Sequence, residues 1–471
     1  MRLGDLVPDI AGEAAAVEIS GITADSRAVR PGMIFAALRG AKVDGARFVP
    51  DAVAAGAAAV LCEPSAAVDA PLVLRERDPR RRLALIAAAL AGRQPDTIVA
   101  VTGTAGKTSV AEFTRQIFAA SGHKAVSVGT LGMMGSVTEK GGLTTPDPVA
   151  LHTRLAALAA SGVEHVAMEA SSHGIDQRRL DGVVLTAAGF TNIGRDHLDY
   201  HADAEAYLKA KLRLFEVLLP EGAPTVVDPD APGASRVLAI AQKPLTVGRD
   251  GDLIRLHAAR RTDTGAALDV ESSAGRFEVP LPLIGDFQTD NALVAAGLAI
   301  AAGIGEEAAL GALACLKGAP GRLELVGRAR GAPIFVDYAH KPDAVTAALE
   351  AVRPGVAGRL IVVLGAGGDR DAGKRPLMGA AAKAAADIVI VTDDNPRSED
   401  PATIRAAILA AVPDGIEIGD RGGAIAEAIA MLRAGDALVV AGKGHEEGQT
   451  INGVTHPFSD RSAVLEALAA L

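Results

Sequence analysis

Val101-Thr102-Gly103-Thr104-Ala105-Gly106-Lys107-Thr108-Ser109 follows the apolar run Thr97-Ile98-Val99-Ala100 and passes into a helical pattern. A strand, a glycine turn and a helix opening on Lys-Thr-Ser are the context a phosphate-binding loop requires. Glycines let backbone N–H groups turn inward on phosphate oxygens, and the helix N-terminus adds partial positive charge. Lys107 is then expected to reach the terminal phosphates, and Thr108 to offer its hydroxyl to Mg²⁺. Gly103, Thr104, Ala105, Gly106, Lys107, Thr108 and Ser109 are thus the candidate ATP-binding loop. The spacing departs from Gly-x-x-x-x-Gly-Lys-Ser/Thr, because Val101 stands where the first glycine would be. The bland alternative is a glycine turn before an ordinary helix; the ordered strand, loop and helix favour nucleotide binding.

Such a loop serves a GTPase switch, a mechanical ATPase, a kinase or a ligase equally well, so the rest of the chain must decide. At 471 residues, the chain is long enough for about three domains of roughly 150 residues. Hydrophobic residues make up 49%, which excludes disorder as the main state. The net charge of −10 argues against sequence-independent nucleic-acid binding, which needs a basic surface. Cys62 and Cys315 are the only cysteines, too few for a disulfide framework or zinc site, and both are expected as buried small hydrophobes. The opening Met1-Arg2-Leu3-Gly4-Asp5 has no apolar run behind a basic cap, and the most apolar stretch, 292–305, is shorter than the ~18 residues that span a bilayer. A cytoplasmic protein without membrane insertion is expected.

Three blocks follow from the strand and turn signals. Residues 1–93 hold short β-like runs and an alanine-rich helix; Gln94-Pro95-Asp96 reads as a linker. Residues 94–319 alternate helices with short apolar strands, which predicts a mostly parallel sheet. In residues 320–471 the runs Ile334-Phe335-Val336, Leu360-Ile361-Val362-Val363-Leu364, Ile388-Val389-Ile390-Val391 and Ala437-Leu438-Val439-Val440 show no polar alternation. Such strands are buried on both faces, so a doubly wound, Rossmann-like α/β unit is predicted.

Polar clusters stand beside the central strands: Thr144-Thr145-Pro146-Asp147, Glu169-Ala170-Ser171-Ser172-His173-Gly174 and Thr191-Asn192-Ile193-Gly194-Arg195-Asp196-His197-Leu198-Asp199-Tyr200-His201. Ligands bind beyond the carboxyl ends of strands in such sheets, which places Glu169 beside the phosphate loop. A carboxylate and a histidine there suit a cation held without thiols. Read singly, Glu169 is also a helix-start charge, the serine pair a cap, and His197 a core histidine.

Taken together, these segments resemble the Mur ligase family, with its TGTxGKTS loop, Glu-x-Ser-Ser-His and Asn-x-x-x-Asp-His in this order. The likeness extends to Asp337-Tyr338-Ala339-His340-Lys341-Pro342-Asp343 and, in the first block, to Asp25-Ser26-Arg27, Pro31-Gly32-Met33-Ile34-Phe35 and Asp44-Gly45. It implies an α/β fold of three domains: a UDP-substrate domain (1–93), a central ATP-binding domain (94–319) and a C-terminal amino-acid domain (320–471). It implies an ATP-dependent ligase of peptidoglycan synthesis, acting through an acyl phosphate on small-molecule substrates, and a monomer. By residue, Ser26, Thr144, Thr145, Ser171, Gln177 and Arg179 match positions that hold a UDP-muramyl dipeptide. Glu169 and His197 match Mg²⁺ ligands, and Asn291, Arg322 and Asp337 match ATP contacts. Lys211 matches a lysine carried as its CO₂-derived carbamate, which turns an ammonium into an anionic oxygen ligand. Without the resemblance a lysine on an amphipathic helix reads as a solvated face, and Lys209 is its rival. Lys107, Lys211, His197 and Glu169 are the implied catalytic set. Two departures stand out: Gln288 where asparagine is usual and Lys341 where threonine is usual.

Gly367-Gly368-Asp369-Arg370, Asp394-Asn395-Pro396-Arg397 and Gly442-Lys443-Gly444-His445-Glu446 lie after buried strands of the third block. Arginine forks suit carboxylates and glutamate suits an ammonium, so these loops fit a ligand with both groups on one carbon. Within the family, Asp-Asn-Pro-Arg is the mark of meso-2,6-diaminopimelate addition. Arg370, Asp394, Asn395, Pro396, Arg397, Gly442 and Glu446 are the implied contacts. The alternatives are the same ligase using L-lysine, a folylpolyglutamate synthase, or a phosphate-loop nucleotide switch.

Overall fold

The structure is a computed structural model, and it describes every residue except 41, 42, 195, 198, 199, 263 and 264. The chain forms two compact units. One comprises Met1–His257, Val270–Arg276 and Leu293–Ala312; the other comprises Ala258–Asp269, Phe277–Ala292 and Leu313–Leu471.

The first unit opens with four parallel strands in sequential order: β1 (Gly21–Thr23), β2 (Met33–Ala36), β3 (Ala59–Cys62) and β4 (Val73–Arg75). Successive side chains along β2 and β3 enter two different cores, because a strand points alternate residues to opposite faces. Ile34, Ala36 and Leu61 join one cluster; Phe35, Val60 and Cys62 join the other. The uninterrupted apolar runs of these strands are the cost of covering both faces.

The second sheet of this unit uses β5 (Thr97–Thr102), β6 (Ala125–Gly129), β7 (Gly132–Gly135), β8 (Glu139–Lys140), β9 (His165–Glu169), β10 (Ala187–Phe190), β11 (Pro224–Val227) and β12 (Lys243–Gly248). Their order is β12-β11-β10-β5-β9-β6-β7-β8. Pairs from β12 to β6 are parallel, and the β6-β7-β8 edge is antiparallel. On one side of β5 the chain skips to β6 and later returns to insert β9 between them; on the other side β10, β11 and β12 follow outward in chain order. A crevice at the carboxyl end of β5 is where such a reversal places ligands. Register brings Val101 opposite Glu169 and Thr102 opposite Phe190, so the phosphate loop, Glu169 and the segment after β10 leave the sheet together.

After β12 come β13 (Ile254–Thr262), β14 (Gly265–Ser272) and β15 (Gly275–Leu281), strands whose residues fall partly in each unit. The sequence did not announce them. Along β13 only Ile254 and Leu256 are buried, and the rest of the strand is exposed or half-exposed, so its apolar face is too short to mark a strand.

The second unit is built on β16 (Glu324–Ala329), β17 (Ala332–Asp337), β18 (Leu360–Leu364), β19 (Ile388–Val391), β20 (Ile416–Glu417) and β21 (Ala437–Ala441), ordered β16-β17-β21-β18-β19-β20. Only the β16–β17 hairpin is antiparallel. Leu360, Val362 and Leu364 pack into one core and Ile361 and Val363 into the other, with the same alternation in β21. The expected doubly wound α/β unit is therefore present. A small hairpin, β22 (Gly448–Ile451) with β23 (Val454–Pro457), follows β21.

Candidate active site

The loop between β5 and the helix Lys107–Ala120 is held by the segment after β10. Ala105 N donates to Asn192 Oδ1 at 3.0 Å, Thr191 Oγ1 donates to Ala105 O at 2.6 Å, and Gly194 N donates to Thr104 Oγ1 at 2.9 Å. Gly106 caps the helix in the left-handed region, at φ 86°. Gly103 also has positive φ, and a Cβ there would collide with Thr191 Oγ1. Lys107 Nζ folds back to donate to Gly103 O at 2.9 Å and Thr104 O at 2.8 Å. Those acceptors preset an ammonium at the mouth of the loop, where an incoming phosphate would compete for it.

Glu169 ends β9 and is buried. It accepts from Thr130 N at 2.7 Å, Thr130 Oγ1 at 3.3 Å and Thr108 Oγ1 at 3.0 Å. Gly129 makes this possible, because a Cβ there would collide with the Glu169 carboxylate. The carboxylate and the Thr108 hydroxyl are hard oxygen donors, the set that suits Mg²⁺. His197 is half exposed, with Nε2 3.5 Å from Asp196 Oδ2 and its ring 4.7 Å from that of His173. Arg195, Leu198 and Asp199 of the same run lie outside the described residues.

Lys211 is 1% exposed and donates to Gly103 O at 2.7 Å, with Nζ 4.4 Å from the Tyr207 ring centre. Lys209 is exposed, so the solvated-face reading holds for it and fails for Lys211. Burial, aided by the nearby Lys107 charge, holds the Lys211 ammonium well below the usual lysine range. Tyr207, hydrogen-bonded to Thr104, is pushed up to about 12 by burial.

Beside Glu169 lies a polar network. Thr144 Oγ1 and Thr130 Oγ1 are 3.0 Å apart, and Thr145 Oγ1 donates to Glu169 O while lying 3.0 Å from Ser171 Oγ. Ser171 caps the short helix Ser172–Asp176, as its position in the serine pair suggested. Arg179 donates to Thr145 O at 2.7 Å and to Gln177 Oε1 at 2.7 Å. Five of the six sequence-predicted dipeptide residues therefore converge near the phosphate loop. Ser26 stands apart, in a one-turn helix capped by Asp25 after β1.

The second unit gathers the rest. Asn291 donates to Gln288 Oε1, and buried Gln288 donates to Arg322 O, each at 3.4 Å. The departure at Gln288 thus places a bridging amide between two expected ATP contacts. Asp337 accepts from Leu323 N at 2.6 Å and Ala339 N at 2.7 Å, and Arg322 lies over the Tyr338 ring at 4.5 Å. Burial, aided by Arg322, pulls His445 down to about 4.

The loops after β18, β19 and β21 meet. Asn395 Nδ2 donates to Asp394 Oδ1 at 2.9 Å and to Glu446 Oε2 at 2.8 Å. Gly442 lets Asp394 approach, since a Cβ there would lie 2.7 Å from Asp394 Oδ2. Arg397 adopts φ 56° and donates to Gly368 O at 2.6 Å, while Pro396 is buried and Arg370 exposed.

Residues 18–96, 101–299 and 321–444 match, in turn, the Mur ligase family catalytic domain, the Mur ligase middle domain and the Mur ligase glutamate ligase domain. The chain is 55% identical over 474 residues to the UDP-N-acetylmuramoyl-L-alanyl-D-glutamate--2,6-diaminopimelate ligase of Rhizobium meliloti (strain 1021), covering 99% of this chain and 98% of that one. The chain belongs to the Mur ligase family. The Mur ligase of the same name from Mesorhizobium japonicum is 56% identical, covering 99% of each chain. A solved structure of a ligase so named superposes with TM-score 0.74 at 34% identity, covering 100% of this chain and 99% of that one. MurF from Thermotoga maritima in complex with ADP, at 20% identity and TM-score 0.62, shares the fold.

As a Mur ligase, this chain is an ATP-dependent amide-bond-forming enzyme. Sequence reading left Thr130 and Tyr207 unmarked, and it showed Asn192 and Lys443 within their motifs without assigning either a role. Tyr207 sits four residues before Lys211, on the same helix face, and that spacing was the available signal. Cys62 is buried as expected, but Cys315 is exposed, at the end of a one-turn 3-10 helix. Among the described residues no helix is long and apolar enough to cross a membrane.

Proposed function

We propose that this chain joins meso-2,6-diaminopimelate to the D-glutamyl carboxylate of UDP-N-acetylmuramoyl-L-alanyl-D-glutamate, with ATP converted to ADP and phosphate, in peptidoglycan synthesis. The carrying observation is full-length identity of about 55% to ligases of that name, with the Asn395 amide donating to both Asp394 and Glu446.

A carboxylate is a poor acyl donor until its oxygen becomes a good leaving group. The D-glutamyl oxygen attacks the terminal phosphorus of ATP, ADP leaves, and an acyl phosphate forms. The neutral amine then adds to the acyl carbon, and phosphate departs as the amide forms. Lys107 and the backbone N–H groups of residues 103–109 position and neutralise the transferred group. Thr108, Glu169, His197 and the carbamate of Lys211 would hold Mg²⁺, which would supply further charge neutralisation. Thr144, Thr145, Ser171, Gln177 and Arg179 hold the dipeptide, and Ser26 the uridine end. Asn291, Arg322 and Asp337 complete the ATP contacts.

Lys211 is the lysine we assign to carbamylation. Only a neutral amine adds to CO₂, and its burial favours that form. The functional parts are 1–93 for the UDP substrate, 94–319 for ATP and 320–471 for the amino acid. A cytoplasmic monomer suits substrates drawn from the ATP pool.

The test measures phosphate release with UDP-muramyl dipeptide and ATP against a panel of amines. Release that depends on both dipeptide and diaminopimelate supports the reading. ATP hydrolysis indifferent to both points to a nucleotide switch, and equal use of L-lysine rejects the amine assignment.

A further inference from the structure

Among the loops that follow β19 and β21 is a cation to which the proposed reaction gives no role. Lys443 is 0% exposed. Its Nζ lies 3.2 Å from Asn395 Oδ1, 3.2 Å from Glu446 Oε2 and 3.9 Å from Asp394 Oδ1. It therefore stands behind three of the residues assigned to the diamino acid, on the side away from solvent.

The neighbouring charges show what Lys443 balances. Arg421 and Asp460 are both 0% exposed and form a two-pronged pair at 2.6 and 2.7 Å. That pair is self-neutral, and the remaining Arg421 donors go to Ala441 O at 2.9 Å and Asp393 O at 3.4 Å. Lys374 directs its ammonium to His340 O at 2.9 Å. Arg397 is turned to Gly368 O. Among the described residues, Lys443 is left as the cation in hydrogen-bonding reach of Glu446.

Two carboxylates and one ammonium leave Asp394, Glu446 and Lys443 with one net negative charge. Glu446 is 34% exposed on its side chain, and its Oε1 makes no hydrogen bond to a described residue. An ammonium arriving there would bring the group to neutrality, while the neighbouring carboxylate of the same carbon would meet Arg397. Burying two carboxylates against a single incoming ammonium would instead leave a charge unpaired, which is costly in a desolvated pocket.

We propose that Lys443 is a positioning and charge-setting residue of the amine site: it cancels one of the two carboxylates and fixes Asn395 and Glu446. It touches no substrate. The inference rests on the reading that these loops receive the diamino acid.

The experiment compares wild type, Lys443→Met, Glu446→Gln and the double variant, by steady-state kinetics and thermal unfolding. Each single change should raise the KM for diaminopimelate by about 10-fold or more, the scale of a charged hydrogen bond, with the KM values for ATP and UDP-dipeptide nearly unchanged. The double variant restores the net charge, so its KM should fall below that of Lys443→Met. A double variant as weak as, or weaker than, Lys443→Met overturns the charge-setting role, and so does an unchanged KM in Lys443→Met. If Lys443→Met lacks a cooperative melt, the double variant must regain one; its failure to do so also overturns the proposal. Wild type that turns over without preferring diaminopimelate rejects the underlying reading instead, and this inference with it.

Discussion

Lys211 Nζ lies 2.7 Å from the carbonyl oxygen of Gly103, which ties the helix Ala204–Arg213 directly to the first glycine of the phosphate loop. A lysine in that place, almost without solvent, has its neutral form favoured by burial and by Lys107.

Lys211→Ala should therefore be nearly inactive, with a loss of at least ~10²-fold in kcat, the scale for removing one key electrostatic group. A high-resolution map of the wild type grown and crystallised with bicarbonate should show density beyond Nζ of Lys211. Rescue of the alanine variant by a small added carboxylate is the stricter check. Density on Lys209 in place of Lys211 would refute the assignment.

Gly129 and Glu169 give a second test. Gly129→Ala puts a methyl group where the Glu169 carboxylate sits, so one of them must move. The expected result is a folded enzyme with a Mg²⁺ requirement raised about 10-fold, on the scale of one lost hydrogen bond to a charged group. Titration of activity against Mg²⁺ reads this directly; a curve superimposable on wild type would show that Glu169 does not need its present place.

Selectivity between amines is the third. Arg397 is proposed to meet the distal carboxylate of diaminopimelate, which L-lysine lacks. A site that must leave a charged donor unpaired can discriminate by as much as ~10⁴-fold. Arg397→Ala should depress kcat/KM for diaminopimelate severely with little change in the KM for ATP, and need not make lysine a good substrate. The ratio of kcat/KM for the two amines, in wild type and variant, decides the matter: an unchanged ratio removes Arg397 from recognition.

The fourth concerns pH. Asp436 accepts from Arg359 Nη2 at 2.6 Å and from Arg359 N at 2.7 Å, and these bonds bring its carboxyl down to about 2. A depressed pKa means the contribution is present above the unfolded value, near 4, and is lost as pH falls through the folded one. Asp436→Asn should therefore destabilise the protein at pH 7, and the gap from wild type should narrow as pH drops from 4 towards 2. Denaturant unfolding at several pH values measures it; a gap independent of pH would mean that the charge is irrelevant.

Much of this was legible in the residues because burial on two faces writes itself into sequence as unbroken apolar runs: Leu360–Leu364 and Ile388–Val391 begin and end as the runs predict. The phosphate loop was legible for a different reason, since glycine conformation and a helix start are local. Depth was not. Lys209 and Lys211 are two residues apart on one helix, and periodicity alone does not say which of them enters the loop's interior. Lys443 was hidden for the same reason: a lysine between two glycines looks like a solvated turn, and only tertiary packing makes it a buried cation. The strand Ile254–Thr262 carries Arg255, His257, Arg260 and Arg261, a composition that reads as surface loop because only Ile254 and Leu256 of the strand are buried.

The left-handed backbone of Arg397 has one more implication. Its N–H donates to Thr450 O and its carbonyl accepts from Asn452 N, so the residue is stitched to the β22–β23 hairpin from both sides. A hairpin that lengthened or shortened by one residue would swing or slide the guanidinium without altering any side chain of the proposed pocket. On the proposed reading of the pocket, amine choice would therefore have a mutational route through a peripheral ribbon, and a library that varies only the length and turn of residues 448–457 would sample it.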